Sequence, residues 1–430
     1  MKKNVTYPLS AVFVAVLLAG CGGGGGDGDA PVAPVAPVVP PVVESPNKFT
    51  QSAEWKFALP ATGTSVCYDF NTKTEVAGCT GNTWDIKVKS GGRSAELFTN
   101  SGSSGTGAGG AFGSPFVHTW TKLLTWQNAL TDRTSGAIPA TLYAADAAKN
   151  TFSGSNSIQS AAFEYGVGGD TDHLLYPNYR VFLVTTKNSV ADAVGTADSP
   201  VFALQLTGYY GGAGGTASGD PSFRWIDQLS KTQKTAAVNA SAGWVYYNLA
   251  TASEVAETGT WHIAFNRYNV KLNGGTSGSG TVGGFVGATP AGFYAADGVT
   301  PVAAKFKAAT PADTLADLTG VLKTPANAAG WIKDAVASQL SPAPTGIYPS
   351  LNYGWFSYYA TDAVAIAAGL AGQHMLKANP ENATLVRSGE GTSYARIRLS
   401  SIAYAAVAAG APAYTGAQTW TLQMDVQPAP

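Results

Sequence analysis

Residues 261–278 read WHIAFNRYNVKLNGGTSG, and this stretch determines the expected class of fold. Trp261, Ile263 and Phe265 alternate with the residues between them at the period of a strand that has one buried face. A cluster of Asn, Gly and Ser then interrupts the pattern, as turns do. Because similar short runs recur along the chain, the sequence predicts an all-β, mostly antiparallel protein with few short helices. Those helices are expected at residues 312–323, 328–339 and 361–372.

The same stretch occurs a second time in diverged form. Residues 66–77 (VCYDFNTKTEVA) correspond to residues 245–256 (VYYNLATASEVA), and a strand containing Trp84 or Trp261 follows each of them. Both copies continue into Gly-rich segments, and the match persists over about 50 residues at an offset near 175. A repeat on this scale predicts tandem units. We therefore expect two all-β domains, copy one over residues 47–230 and copy two over residues 231–430.

The second halves of the two copies agree more loosely. In copy one an aromatic cluster with Phe163 and Tyr165 precedes His173, and in copy two residues 355–359 (WFSYY) precede His374. Each histidine is followed by further strand-like runs. The recurrence of a histidine at corresponding places makes His173 and His374 the leading candidates for a functional site.

Composition excludes several classes of protein. The net charge is −1 and only 12% of residues are charged, which is a poor footprint for binding nucleic acid. No G-x-S-x-G or H-E-x-x-H motif occurs, so a hydrolase is not expected. G-x-G-x-x-G occurs from Gly105 and from Gly278, but prolines follow soon after each and no helix pattern begins. We interpret both as Gly-rich loops and expect no enzyme.

The N-terminus has the pattern of a bacterial lipoprotein signal. Lys2 and Lys3 precede an apolar run over residues 9–18, and the signal ends Leu-Ala-Gly before Cys21. This resembles a lipobox, so residues 1–20 are expected to be removed and Cys21 lipidated. A plain signal peptide with an incidental cysteine is the alternative. Residues 21–46, rich in Gly and Pro, would then be a tether to the outer membrane, on a face that stays open.

Two further groups of residues have a predicted chemistry. Cys67 and Cys79 are expected to form a disulfide in an oxidising compartment, with two free thiols as the alternative. The sequence Asp-Thr-Asp-His at residues 170–173 contains metal-ligand residue types, but without companion ligands we interpret it as a turn.

Copy two resembles the HmuY-type haem-binding lipoproteins. Residues 261–278 are similar to that family's pattern W-D-[IL]-A-F-x-R-Y-x-[IV]-x-[TL]-N-x-G-x-S-G, and residues 387–397 (RSGEGTSYARI) resemble its C-terminal strand pair. Copy one is diverged and lacks the Arg-Tyr pair. His262 stands where the family has Asp, and we expect it on the exposed face of its strand. The resemblance implies an all-β fold that holds haem between loops and passes it to a TonB-dependent outer-membrane transporter.

Only one of the family's two axial iron ligands has a counterpart in this sequence. His374 and His173 resemble the family's more C-terminal axial ligand, whereas the family's second histidine is missing upstream of both. The other candidates for an iron ligand are His118, Tyr348, Tyr353, Tyr143 and Met375. Because neighbours in an extended chain point opposite ways, Met375 and His374 could not both bind one iron.

Two functions follow from these observations. The first is an outer-membrane lipoprotein that binds haem or a related porphyrin and hands it to a TonB-dependent transporter. The second is a binding or accessory lipoprotein of the same fold that has lost haem and contacts another ligand or a partner protein. The missing second histidine favours the second, and the paired His173 and His374 favour the first.

Overall fold

The structure is a computed structural model that describes residues 47–132, 136–169 and 171–430. The predicted signal peptide, Cys21 and the tether lie outside the described residues. Within those residues, no helix is both long and apolar enough to cross a membrane. Short antiparallel strands predominate, so the predicted all-β class is confirmed.

The strands are numbered in chain order. The first ten are β1 (Gln51–Ala58), β2 (Ser65–Asp69), β3 (Thr74–Glu75), β4 (Ile86–Ser90), β5 (Ala95–Thr99), β6 (Gly110–Phe112), β7 (His118–Thr119), β8 (Thr131–Asp132), β9 (Gly136–Ala137) and β10 (Ala147–Lys149). The next twelve are β11 (Phe163–Tyr165), β12 (Leu175–Pro177), β13 (Phe182–Thr185), β14 (Gly195–Thr196), β15 (Ser199–Gly211), β16 (Ala217–Asp227), β17 (Gln233–Ala237), β18 (Val245–Asn248), β19 (Ser253–Val255), β20 (Ile263–Asn266), β21 (Asn269–Leu272) and β22 (Gly283–Val286). The last eight are β23 (Ala335–Ala337), β24 (Thr345–Ile347), β25 (Ser350–Asn352), β26 (Phe356–Tyr359), β27 (Met375–Ala378), β28 (Asn382–Arg387), β29 (Tyr394–Tyr404) and β30 (Gln418–Gln427).

Within the described ranges, four short α-helices accompany the strands. They are α1 (Trp120–Leu124), α2 (Ala303–Ala308), α3 (Leu315–Thr319) and α4 (Asp362–Ala367). Helices α3 and α4 fall inside the predicted ranges 312–323 and 361–372. The helix predicted at 328–339 is wrong: a 3₁₀ turn there is followed by β23, which pairs with β10. Strand pairing at that position overrides the helix propensity of an Ala-rich sequence.

Two equivalent six-stranded sheets organise the fold. In one the main order is β1-β30-β29-β28-β6, and in the other it is β17-β16-β15-β13-β22. Each sheet is therefore built in the same way, from one early strand, a three-strand meander and a short strand after the Gly-rich loop. The equivalence extends to side chains. Arg398 donates two hydrogen bonds to Oε1 of Gln423, and Arg224 does the same to Gln205, with the residue types exchanged between the paired strands.

The cores do not coincide with the two sequence copies. The first main core combines residues 53–111 with residues 340–426, whereas the second lies wholly within residues 152–282. We call residues 147–337 the inserted domain and residues 47–146 with 338–430 the outer domain. Each domain takes its first half from one copy and its second half from the other. The predicted boundary at 230/231 is therefore corrected, because the strands on either side of it are neighbours in one sheet.

Chain connectivity gives the reason for this exchange. The first and last strands of each unit are antiparallel neighbours, as β1 and β30 are. At the junction of the copies, β16 and β17 are separated by only five residues (228–232) and pair as a hairpin. Closing a short loop costs less entropy than closing a long one. Copy two's first strand thus pairs with copy one's meander, and β1 is left to pair with the end of the chain.

The inserted domain leaves the outer domain through one two-stranded neck. Strands β10 and β23 pair antiparallel there, so the domain's two ends lie side by side. A buried aspartate precedes each strand: Asp146 accepts the N–H of Thr99, and Asp334 accepts the N–H of Leu272, both at 2.9 Å. Burial raises the pKa of both carboxyl groups, and that of Asp334 to about 6.

The raised pKa of Asp334 predicts a pH-dependent stability. Between about pH 4 and 6 the unfolded chain has lost this proton while the folded chain still holds it, so stability falls as pH rises. Relative to Asp334→Asn, the wild-type free energy of unfolding should decrease by about 3 kcal/mol across that window. Urea denaturation of both proteins from pH 4 to 8 measures it. Parallel pH profiles would contradict the assignment of this titration to Asp334.

The two Gly-rich loops are turns around an asparagine. Asn100 Oδ1 accepts the N–H of Gly107, and Asn273 Oδ1 accepts that of Gly280, both at 3.0 Å. A Cβ at Gly105 would collide with the amide of Asn100. Strands β6 and β22 follow these loops, not helices, so the interpretation as Gly-rich loops is confirmed. The predicted Cys67–Cys79 disulfide is present.

Candidate functional site

His374 lies at the end of the four-stranded sheet β24-β25-β26-β27. Its backbone N–H donates to the carbonyl of Tyr359 at 2.6 Å, which fixes the turn into β27. Its Nδ1 lies 2.7 Å from the hydroxyl of Tyr358, and the ring of Tyr414 stands edge-on at 5.3 Å. The imidazole is half-buried. Backbone, hydroxyl and ring contacts together hold it in one orientation.

His173 has a comparable tyrosine contact in the inserted domain. Its Nδ1 lies 3.0 Å from the hydroxyl of Tyr165 on β11, the strand that pairs with β12. Two residues beyond each histidine, the N–H of Leu175 or Leu376 donates to a tyrosine hydroxyl of the long meander strand. His173 is the more exposed of the two. The equivalence of His173 and His374 that the sequence indicated is thus also one of local geometry.

The tyrosine contact at Nδ1 leaves Nε2 as the nitrogen of each imidazole that could bind a metal ion. Histidines that ligate metals commonly donate the ring proton of one nitrogen to a neighbouring acceptor, which fixes the tautomer. In the tautomer whose Nδ1–H donates to Tyr358, Nε2 of His374 carries the lone pair. The same holds for His173 with Tyr165. The arrangement can therefore supply one axial nitrogen at each place.

Tyr348 is the candidate that shares a sheet end with His374. It occupies the turn between β24 and β25 and is 68% exposed. Ile347 pairs with Ser350, Ser350 with Tyr359, and Tyr359 with Met375, so the turn that joins β24 to β25 lies two to three strand-to-strand steps from β27. At the usual spacing these steps amount to roughly 10–14 Å. Tyr348 and His374 thus lie at the same end of the sheet, Tyr348 between its first two strands and His374 beside its last.

The remaining candidates lie in different surroundings. Met375 is buried at 5% exposure, and Tyr353 stacks on Phe356 against the outer core. Tyr143 is buried and donates its hydroxyl to the carbonyl of Ala129 at 2.7 Å; burial raises its pKa. His118, on β7, packs between the rings of Phe112 and Trp126. Met375 adjoins His374 but is buried, and the structure places Tyr353, Tyr143 and His118 away from the strand ends that carry His374 and His173.

The Asp-Thr-Asp-His segment forms a turn in the part that the structure describes. Asp172 accepts the N–H groups of Gly168 and Leu174 and pairs with Lys307 at 3.4 Å. Asp170 lies outside the described residues. Among those that are described, no group of three or more His, Cys, Asp and Glu side chains could hold a metal ion.

The expectation that His262 lies on a strand surface is wrong. It is 6% exposed, its Nδ1 accepts the N–H of Leu249 at 3.2 Å, and burial lowers its pKa to about 4. It replaces Asp85 of copy one, whose carboxylate accepts the equivalent N–H of Phe70. His262 is thus a neutral acceptor in the interior, and period-two alternation alone could not reveal that both faces of its strand are covered.

The sequence did not assign a role to the tyrosines that contact the two histidines. Tyr165 and Tyr358 precede the histidines by 8 and 16 residues, so their spacing differs between the copies. Both belong to the aromatic clusters that helped to align the copies. The occurrence of a tyrosine before the histidine in both copies was the sequence feature that could have indicated this contact.

The all-β scaffold thus carries a tyrosine-held histidine at two equivalent strand ends. The HmuY protein family matches residues 240–415, so this part of the chain is similar to that family. Neither the curated proteins nor the solved structures contain a match. Copy one lies outside the matched residues.

Proposed function

We propose that this protein is a non-enzymatic lipoprotein that binds haem or a related porphyrin at the strand ends carrying His374 and His173. The observation that supports the proposal most is the repeated Tyr–His pair, with Nδ1 of each histidine held by a tyrosine hydroxyl. Haem supplies an iron whose axial positions accept imidazole nitrogen. Similarity to the HmuY family is consistent with a haem-related role.

The residues at the His374 end can supply one axial ligand of a haem iron directly. The second axial ligand is less well provided for. Nε2 of His374 would bind the iron, and the tyrosines 358 and 414 would hold the imidazole. Tyr348 is the oxygen donor available at the same end of the sheet. His173 would serve in the same way at the inserted domain.

We predict that the lipid-free mature chain shifts the Soret band of haemin on titration. Replacing His374 by Ala should weaken binding at that site more than any change to its tyrosine partner does, because the axial bond itself is lost. Tyr358→Phe removes only the partner of Nδ1 and should weaken it by roughly ten- to a hundredfold. Absorbance titration of each variant, in a His173→Ala background so that one site is measured, gives both values.

Tyr359→Phe is the matched control, since Tyr359 adjoins Tyr358 on β26 and points to the opposite face. It should bind haemin as the parent does. Unchanged spectra with excess haemin would contradict haem binding.

The accessory function remains the second candidate, and one observation favours it. The proposed second ligand, Tyr348, does not adjoin His374, because two to three strand steps separate its turn from β27. A protein that keeps the scaffold without binding haem would leave the Tyr–His pairs as structural hydrogen bonds. In that case the haemin spectrum would not change, and the Tyr–His variants would alter only stability.

Anchoring and transfer form the remaining part of the proposal. Lipidation at Cys21 would attach the protein to the outer membrane, and haem would pass to a TonB-dependent transporter. Cys21→Ser should move the protein from the membrane fraction to the soluble fraction and reduce growth on haemin as the iron source. Fractionation by immunoblot and a growth curve measure the two effects. A variant that stays with the membranes would exclude Cys21 as the anchor.

A further inference from the structure

A cleft of about 730 Å³ opens beside the neck of the inserted domain. The structure forms its walls from both copies: the Gly-rich loop at 102–103, the turn at 152–160, β21 with Tyr268, and the neck strands β10 and β23. This volume is typical of sites for small ligands. The cleft is separate from the ends of the sheets that carry His173 and His374.

The lining consists mainly of hydroxyl and amide side chains. Ser153, Ser157, Gln159, Asn269 and Thr276 contribute to it, and the lining residues include no acidic side chain and no His, Met or Cys. A porphyrin would find neither an axial ligand nor a broad apolar slot there. The chemistry instead matches a ligand that offers many hydroxyl groups and no strong charge.

One aromatic side chain stands at the cleft with part of its surface open. Trp244 is 39% exposed, and the ammonium of Lys271 lies 4.2 Å from the centroid of its ring. Lys271 also approaches the rings of Tyr246 and Trp261 and the hydroxyl of Tyr246 at 3.3 Å. The single cation in the lining is thereby held against aromatic faces. Copy one has Ser65 at the position of Trp244, so the ring is specific to this cleft.

We infer that this cleft binds an oligosaccharide, with one pyranose ring stacked on the indole of Trp244. The C–H faces of a pyranose are apolar and pack on an aromatic ring, whereas its ring-edge hydroxyls both donate and accept hydrogen bonds. Gln159, Asn269 and Thr276 supply such partners around the cleft. Lys271 donates to a hydroxyl without requiring an anionic sugar. The site is independent of haem.

The test is calorimetric titration of the full mature chain with maltohexaose, chitohexaose and xylohexaose. We expect at least one of the three to bind, and Trp244→Ala to weaken it by roughly tenfold through loss of stacking. Ser157→Trp, which adds bulk to an exposed position in the cleft wall, should also abolish binding. Near-ultraviolet circular dichroism establishes that each variant is folded.

Leu229→Ala is the control, because Leu229 is 51% exposed and does not line the cleft. It should bind the sugar as the wild type does. His374→Ala should leave sugar binding unchanged and Trp244→Ala should leave the haemin titration unchanged, which separates this site from the proposed haem site. The inference is overturned if none of the three hexasaccharides binds, or if binding survives both cleft variants.

Discussion

A polypeptide of residues 147–337 should fold alone, whereas residues 47–230 and residues 231–430 should each fail to form a native core. The inserted domain contains the complete second core, and its ends meet at the neck formed by β10 and β23. A cut at 230/231 separates β16 from β17 and leaves each fragment with two unpartnered half-domains. Because a half-core cannot offset the entropy of ordering its chain, neither fragment should be stable.

Circular dichroism and urea denaturation of the three polypeptides measure this difference. Residues 147–337 should show one cooperative transition, and the other two should show none. The two unstable fragments supply complementary halves of both domains, so mixing them during refolding should restore the native spectrum. If residues 47–230 alone unfolded cooperatively as a monomer, the exchanged arrangement of the halves would be wrong.

Much of the secondary structure of this fold could be predicted from local sequence patterns. Period-two alternation around Trp84 and Trp261 predicted the strands, and the repeated Gly-rich segments predicted equivalent loops. The sequence could not predict which half of one copy packs with which half of the other, because the strands of both copies are compatible with either pairing. Strand β1 pairs with β30 in the same antiparallel way as β17 pairs with β16. Only the short connection between β16 and β17 favours these pairings over pairing within each copy.

The candidate site likewise has a part that the sequence predicted and a part that it did not. His173 and His374 were visible as a recurring residue type, yet their tyrosine partners come from strands at different sequence distances. His262 shows the limit of the pattern most clearly. Its burial depends on Phe202 of β15, which belongs to the other copy and packs 5.7 Å from its ring. No feature of residues 261–278 predicts that contact.

Asp85→Ala should be among the most destabilising single substitutions in the outer domain. The carboxylate is fully buried and accepts two backbone N–H groups, from Gly389 at 2.7 Å and from Phe70 at 2.9 Å. Gly389 lies 304 residues further along the chain, so this side chain joins the two segments of the outer domain. Each buried donor left without an acceptor costs about 1–3 kcal/mol, so the two together predict a loss of about 2–6 kcal/mol.

Asp85→Asn should lose about half as much, because its amide oxygen still accepts one of the two N–H groups. Glu96→Ala, an exposed substitution on β5, should change stability by less than about 0.5 kcal/mol. Urea denaturation followed by tryptophan fluorescence measures all three. Since residues 147–337 hold a separate core, the Asp85→Ala transition should split, with the outer domain unfolding first and the inserted domain later. A single transition at the wild-type midpoint would show that this carboxylate does not hold the two segments together.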